Sequence, residues 1–485
     1  MPFIPHPELP SQVIDEACEW AMMHGMAMKT STGTARHCAF SLTPVAIKRD
    51  VFNGLKAATP LIARLIHNVS EDHAFVQQIM KDVSQADPFF GRLLKLHRQI
   101  HGGSSQRIEA PRQPLLMMRT DYMDGRVQGP KVVEFNGIAA GMGPFGQRIH
   151  ELHTYLQNQW GEAFQHWADS DDGELALNNC MNELASGVAQ TAKRIRSEAG
   201  DCGQPVFLMV VQDSEDNVYD QHLLEMELQK LGVRTVRRTF RQLHDQLYTG
   251  GNNRLMLKDI GSLDVVYLRA GYQLCDYQST DLLEDECCEA LSQTRVFIEK
   301  HAVAVNATVS QQLATSKTMQ MVLTMMPPEE LTRWGLSLYE AETIQEYLAD
   351  MLPVTSDTAK WFAEKGDPDQ WVLKNQGEGG GHCVFGEDIL PAIKAMPESA
   401  FKAWALMRRL YPHERQRPAL AVRDGYTKEV NDLISEVGLF TIHFNGEPLT
   451  DQNGYAGYLI RSKPSTATEG GVHSGQGMLD SLLLV

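Results

Sequence analysis

Residues 371–388, WVLKNQGEGGGHCVFGED, place an ammonium (Lys374), a carboxylate (Glu378) and four glycines (Gly377, Gly379, Gly380, Gly381) within eight positions. The stretch reads as a strand ending in Lys374, a glycine loop, and a second short strand. Glycine lets backbone N–H groups approach a polyphosphate closely and adopt positive φ. A donor nest, an ammonium and a metal-holding carboxylate together suit Mg-nucleotide chemistry. A glycine cluster is also the mark of a mobile surface turn, so corroboration must come from elsewhere. In VVEFNG, Glu134 and Asn136 stand two apart on a strand and share a face. A carboxylate and an amide carbonyl are hard oxygen ligands of the kind Mg²⁺ prefers, and Glu378 would complete a three-residue shell. A solvated strand face would look the same. Cations are scattered at Arg119, Arg269, Lys317, Lys374, Arg461 and Lys463. Arg119 and Arg269 are expected at strand ends, where guanidinium suits carboxylate recognition; ammonium suits phosphate oxygens.

Two further patterns are weaker. Gly141, Gly143 and Gly146 satisfy G-x-G-x-x-G between a strand and a helix. A dinucleotide fold also needs a second strand ending in an acid about 20 residues on, where a long helix is expected instead. TEGGVHSGQG (468–477) reads either as a frayed tail or as a loop closing over a reactive intermediate. No Walker pattern occurs, which argues against a P-loop enzyme.

The elements that must position these residues read as follows. Residues 9–100 carry apolar residues at helical spacing, over ELPSQVIDEACEWAMMHGMAM and from Val45 to about Arg98. LLMMRTDYM (115–123) and KVVEFN (131–136) are expected strands, followed by a helical region from Gln147 to about Ala199. PVFLMVVQ, VRTVRRTF and DVVYLR then alternate with YDQHLLEMELQKLG, an α/β unit with a parallel sheet ending near VAVNA (302–306). Asn445-Gly446 marks a hairpin. There is no internal repeat.

With 485 residues, 43% hydrophobic and 22% charged, the chain has room for two or three domains. Its net charge of −17 argues against nucleic-acid binding. Eight cysteines form no CxxC pair, which speaks against a zinc site or a disulfide scaffold. No secretory signal and no membrane span are visible, so a reducing cytosol is expected.

Seven ordered motifs resemble the eukaryotic-type glutathione synthetases of the ATP-grasp superfamily: RTDYM, VVEFNGIAAGMG, DNVYDQ, VVYLRAGY, LKNQGEGGG, ISEVGLF and IRSK…EGGV. The resemblance runs nearly end to end. It implies an α/β fold with α+β elements: an ATP-grasp core of antiparallel sheet and helices, an inserted parallel-sheet substrate domain, and a lid. Residues 1–204 would hold the helical region and part of the core, 205–306 the substrate domain, and 307–485 the remainder with glycine-rich loops at 377–381 and 469–477. It implies a Mg²⁺-dependent ligase making glutathione from γ-glutamylcysteine, glycine and ATP through an acyl phosphate, in a cytosolic homodimer. Glu134, Asn136 and Glu378 would hold Mg²⁺. Lys317, Lys374 and Lys463 would contact the ATP phosphates, with Gly379, Gly380 and Gly381 over them, and Met407 and Glu436 beside adenine and ribose. Arg119, Asn217, Gln221, Arg269, Tyr272 and Arg461 would bind the dipeptide, and Val472 and His473 would close over it. Arg119, Lys374 and Arg461 are the expected catalytic residues; no general base is nominated.

The chain departs from the family pattern at named places. Ala139 and Gly141 stand where serines are common, Arg408 where an acid is usual, Cys383 for an asparagine, and His473 for a small residue. The metal and phosphate residues are kept while the substrate residues are altered. Two alternatives therefore stand beside the leading reading: the same ligase with a different dipeptide or acceptor amine, and a non-catalytic nucleotide-binding protein.

Overall fold

The computed structural model describes residues 11–103, 106–282, 284–377, 383–467, 471–472 and 476–485. Its centre is a thirteen-stranded mixed sheet. Four strands at one side, Arg234–Arg238, Val206–Val210, Val265–Leu268 and Ala304–Asn306, are parallel. The last of them pairs in parallel with the start of Gln113–Gly125, so the parallel unit and the rest form one continuous sheet. Gln113–Gly125 then pairs antiparallel with Leu433–Phe444 and Gly129–Asn136, and Leu433–Phe444 with Tyr455–Pro464. A separate four-stranded antiparallel sheet, Met351–Pro353, Trp404–Arg408, Trp371–Asn375 and Cys383–Phe385, carries Lys374 and Met407.

The run LLMM explains how the sheet is buried. Leu115 and Met117 enter one core, beneath the helices Gly143–Trp167 and Cys180–Glu198. Leu116 and Met118 enter the other, with the helices Arg49–Glu71, His73–Ala86 and Pro88–His101. A strand covered on both faces reads as a continuous apolar run instead of an alternation. Each such side chain contributes roughly 1.5–3 kcal/mol by leaving water. Beyond Met118 the first face turns polar. Arg119 and Asp121 continue the line of Leu115 and Met117, so one strand face runs from the core into the site.

Three expectations need correction. Helix does not fill residues 9–100: the first described helix is Ser11–Met23, Gly25 adopts φ +75°, and Ala27–Lys29 pairs with Ala35–His37 as strands. Met26, Ala27 and Met28 are all buried, and a short continuous apolar run does not distinguish strand from helix. The region 147–199 is two helices, Gly143–Trp167 (kinked at Gly161) and Cys180–Glu198, bridged by a segment holding the strand Glu174–Leu175. Both helices bury residues in the same core, so the periodicity continues across the break. Arg119 lies inside its strand, not at its end. The hairpin at Asn445-Gly446 is present, with φ of 51° and 83°, as a type I′ turn requires. The G-x-G-x-x-G stretch follows Gly129–Asn136, whose antiparallel pairing excludes a dinucleotide βαβ unit.

Candidate active site

The site forms where antiparallel strands turn their polar face away from the helices. Strand register sets the partners. Asp121 stands opposite both Gly438 and Glu134, Arg119 opposite Asn136, and Glu436 opposite Arg461. Asp121 is fully buried and accepts four hydrogen bonds from three residues. Arg119 gives it Nε and Nη2 (2.5 and 2.8 Å), Asn136 gives Nδ2 (3.0 Å), and Arg461 gives Nη2 (3.0 Å). Gly438 makes this possible: a Cβ there would meet Arg119 Cδ and Asp121 Oδ1 at 2.7 Å. The bonds from Nδ2 orient Asn136 so that its carbonyl oxygen is the atom left to act as a ligand. Arg461 also pairs with Glu436.

Glu134 accepts from Lys317 Nζ at 2.8 Å. Burial raises the Glu134 carboxyl pKa, but Lys317 and Lys374 outweigh burial and hold it well below the usual carboxylate range. Burial pushes Glu436 up despite Arg461. Burial disfavours the Arg461 charge, yet Glu436, Asp121 and Glu134 raise its pKa further, so it stays a cation. A bulge between Asp121 and Tyr122 shifts the register at Val133. That puts both Val132 and Phe135 in the core, and Lys374 donates to the carbonyl of Val133 at 3.2 Å. Lys374 and Lys317 are themselves buried.

The other end of the site is built from loops after parallel strands. Arg269 follows Val265–Leu268; Gln212 to Asn217 follow Val206–Val210. Arg269 donates to the Ala139 carbonyl (3.2 Å). With the Asn217 amide turned so that its oxygen faces Arg269, Asn217 accepts from Arg269 (2.8 Å) and donates to Glu215 (3.0 Å). Gln221 also donates to Glu215, and Gln212 donates to the Tyr272 hydroxyl at 3.0 Å. Burial opposes the Arg269 charge, but Tyr267, Asp220 and Glu215 keep it protonated. Ala139 and Met142 take positive φ, 51° and 70°, which brings the Ala139 and Gly141 carbonyls to Arg269 and Arg119. At Gly141 a Cβ would lie 1.9 Å from Arg269 Nη1. The Arg269 guanidinium thus fills the space a serine side chain would need.

Both ends open into one cleft of about 960 Å³. It is lined by Arg119, Glu134, Asn136, Lys374, Arg461, Lys463 and Glu436 at one end and by Asn217, Arg269 and Tyr272 at the other; Met407, Arg408 and Cys383 line it as well. Lys317 reaches it through Glu134, and Gln221 through Glu215. Val472 is buried, and neighbouring Gly471 lines the cleft. Glu378, Gly379, Gly380, Gly381 and His473 lie outside the described residues. Asp121 and Glu215 had not been singled out from the sequence. The signal for Asp121 was its spacing, two residues from Arg119 on one strand face; Glu215 gave none. The oxygen donors of Glu134 and Asn136 suit a hard divalent cation such as Mg²⁺.

Comparison with known proteins gives the family. The family model for the eukaryotic glutathione synthase ATP-binding domain matches residues 7–484. The chain is 28% identical to the chloroplastic glutathione synthetase of Solanum lycopersicum, over 99% of this chain and 85% of that one. It is 26% identical to the glutathione synthetase of Homo sapiens, over 98% and 96%. A solved glutathione synthetase-like effector from Globodera pallida superposes with a TM-score of 0.71 at 18% identity, covering 99% of both chains, and so shares the fold. With the family model spanning nearly its whole length, the chain belongs to the eukaryotic glutathione synthase family and is an ATP-dependent ligase.

Proposed function

We propose that this chain joins γ-glutamylcysteine to glycine at the expense of ATP, through an acyl phosphate. The observation that carries the reading is the single cleft whose one end gathers Glu134, Asn136 and paired cations and whose other end presents Arg269, Asn217 and Tyr272. A free carboxylate is a poor acylating agent. Transfer of the γ-phosphoryl group to the dipeptide carboxylate makes it reactive, and the glycine amine then displaces phosphate. Such a transfer depends on positioning and charge neutralisation. Lys317, Lys374 and Lys463 supply the cations for the phosphates, and Arg119 and Arg461 hold the dipeptide carboxylate in line. Glu134, Asn136 and Glu378 would hold Mg²⁺, which screens the charge of the triphosphate. The same reading puts the protein in the cytosol as a homodimer, a state sedimentation equilibrium would check. Purified protein supplied with ATP, Mg²⁺, γ-glutamylcysteine and glycine is expected to release ADP and glutathione together. Absence of both products from a folded sample overturns the proposal.

A second reading has its own observation. Arg269 fills the space beside Gly141, so the dipeptide meets a guanidinium where family members commonly offer a hydroxyl. A different dipeptide or acceptor would follow. A panel of γ-glutamyl dipeptides and amines decides: clear preference for γ-glutamylcysteine and glycine removes this reading.

A further inference from the structure

A second convergence of side chains lies outside the cleft, on the helical face. His73 opens the helix His73–Ala86, and His97 and His101, four residues apart and therefore on one face, close the helix Pro88–His101. Asp87 alone connects the helices, so the start of one meets the end of the other. One nitrogen from each ring lies within 4.8 Å of the other two. His73 stacks on His101 with ring centroids 3.7 Å apart, and His97 lies 5.3 and 4.8 Å from them. His97 and His101 are 0% and 2% exposed. Each ring keeps a buried nitrogen with no hydrogen-bond partner: His73 Nδ1, His97 Nε2 and His101 Nδ1. Buried polar atoms are nearly always satisfied, and three orphans in one place call for a shared ligand.

We propose that His73, His97 and His101 bind one divalent first-row transition ion of the zinc type, with water completing the coordination. Imidazole nitrogen suits such ions, whereas Mg²⁺ and Ca²⁺ prefer the hard oxygens found in the cleft. The absence of CxxC pairs does not bear on this set, because it contains no cysteine. Burial, with smaller contributions from neighbouring charges, lowers the pKa of all three rings, that of His97 to about 3, so the neutral ligand form is present at pH 7. Outer contacts orient the rings. His101 Nε2 lies 3.2 Å from Ser310 Oγ, and His97 Nδ1 lies 3.3 Å from Gln77 Nε2. Arg112 stands 3.5 Å from His101 Nε2, but Glu71 (2.9 and 3.0 Å) and Glu299 (3.7 Å) balance its charge. Zn–N bonds of about 2.0–2.1 Å in four-coordinate geometry set ligand nitrogens about 3.3 Å apart. The half-buried His73 must therefore leave its stack and swing inward. His101 then carries its proton on Nε2 and donates to Ser310 Oγ. His97 carries its proton on Nδ1, and the Gln77 amide turns to accept it. Through Ser310 the ion ties this helix pair to the helix Val309–Ala314, which leads to Lys317. Its role is to brace the layer behind the cleft.

The test uses the full chain, stripped by chelator and titrated with Co²⁺ in excess Mg²⁺. One equivalent should give the intense visible absorption of low-coordinate cobalt, displaced by Zn²⁺, and Zn²⁺ should raise the thermal midpoint. His73→Gln, chosen because this ring is only half-buried, should weaken binding by more than about 100-fold, beyond the 10–100-fold typical of losing an outer contact. Cys383→Ser should bind normally. Folded wild-type protein that takes up no stoichiometric Co²⁺, or a spectrum unchanged in His73→Gln, overturns the site.

Discussion

The two ends of the cleft are built differently. The end with Glu134, Asn136, Asp121 and Arg461 stands on hydrogen-bonded antiparallel strands, where register decides which side chains meet. The end with Glu215, Asn217, Arg269 and Tyr272 stands on loops after parallel strands, the usual place for ligand recognition in α/β folds. A strand interior cannot change one residue without disturbing its cross-strand partners; a loop can. The positions named as departures lie in both kinds of element: Ala139 and Gly141 in the loop after Gly129–Asn136, Cys383 and Arg408 on strands of the four-stranded sheet.

The sharpest way to break this comparison is Glu134→Gln. It removes a carboxylate and with it the ion pair to Lys317, which is 4% exposed. Turnover should fall by roughly 10²–10³-fold, the range for losing one preorganised electrostatic group. Stability should fall by less than the roughly 3–5 kcal/mol of a fully buried pair, because Glu134 retains some exposure. Steady-state kinetics and urea unfolding on the same preparation separate the two effects. Wild-type turnover in this variant would end the idea that the strand face does the chemistry.

Arg269→Ala probes the loop end. It removes a buried guanidinium bonded to Ala139 and Asn217. Hydrogen bonds to charged groups are worth about 1.5–3 kcal/mol each, so kcat/KM for the dipeptide should drop by on the order of 10–100-fold. The KM for ATP should stay within a factor of about two. Equal losses for both substrates would show that the ends are not separable.

Gly141→Ser is a smaller perturbation of the same end. Its Cβ would sit 1.9 Å from Arg269 Nη1 and must push the guanidinium aside. We expect about a 10-fold change in the dipeptide KM, a cost near 1.4 kcal/mol, and a changed order of preference among γ-glutamyl dipeptides. An unaltered preference would mean that Arg269 moves freely and does not set selectivity.

The same division governs what could be read from the residues alone. Lys374, Glu134 and Asn136 could be picked out as candidates because metal and phosphate chemistry demands particular residue types at short spacing, and all three line one cleft. The continuous run LLMM gave a strand, but only the two cores reveal that it is covered on both sides. Asp121 was passed over because its donors come from residues 119, 136 and 461, and the last two are distant in sequence. The bulge at Val133 has no residue signature, since it arises from pairing with a strand already in place. His73, His97 and His101 gave only the i, i+4 pair, and the third ring arrives through the fold of the helix hairpin.

The pH axis should also separate the two ends, with the smallest effect. The folded pKa of Glu134 is depressed below its ordinary value of 4.5, through Lys317 and Lys374 acting against burial. A depressed carboxyl contributes stability that is present above the unfolded pKa and is lost as pH falls toward the folded one. The loss should therefore begin near pH 4.5 and deepen below it, at up to about 1.4 kcal/mol per pH unit for this one group. At the loop end Arg269 remains a cation throughout this range, and Asn217 does not titrate. Urea unfolding between pH 5 and pH 3 should show a shallower acid slope for Glu134→Gln than for wild type, and an unchanged slope for Asn217→Ala. Identical slopes in all three proteins would mean that Lys317 and Lys374 do not hold the Glu134 charge, and the strand face would lose its claim to a preset electrostatic role.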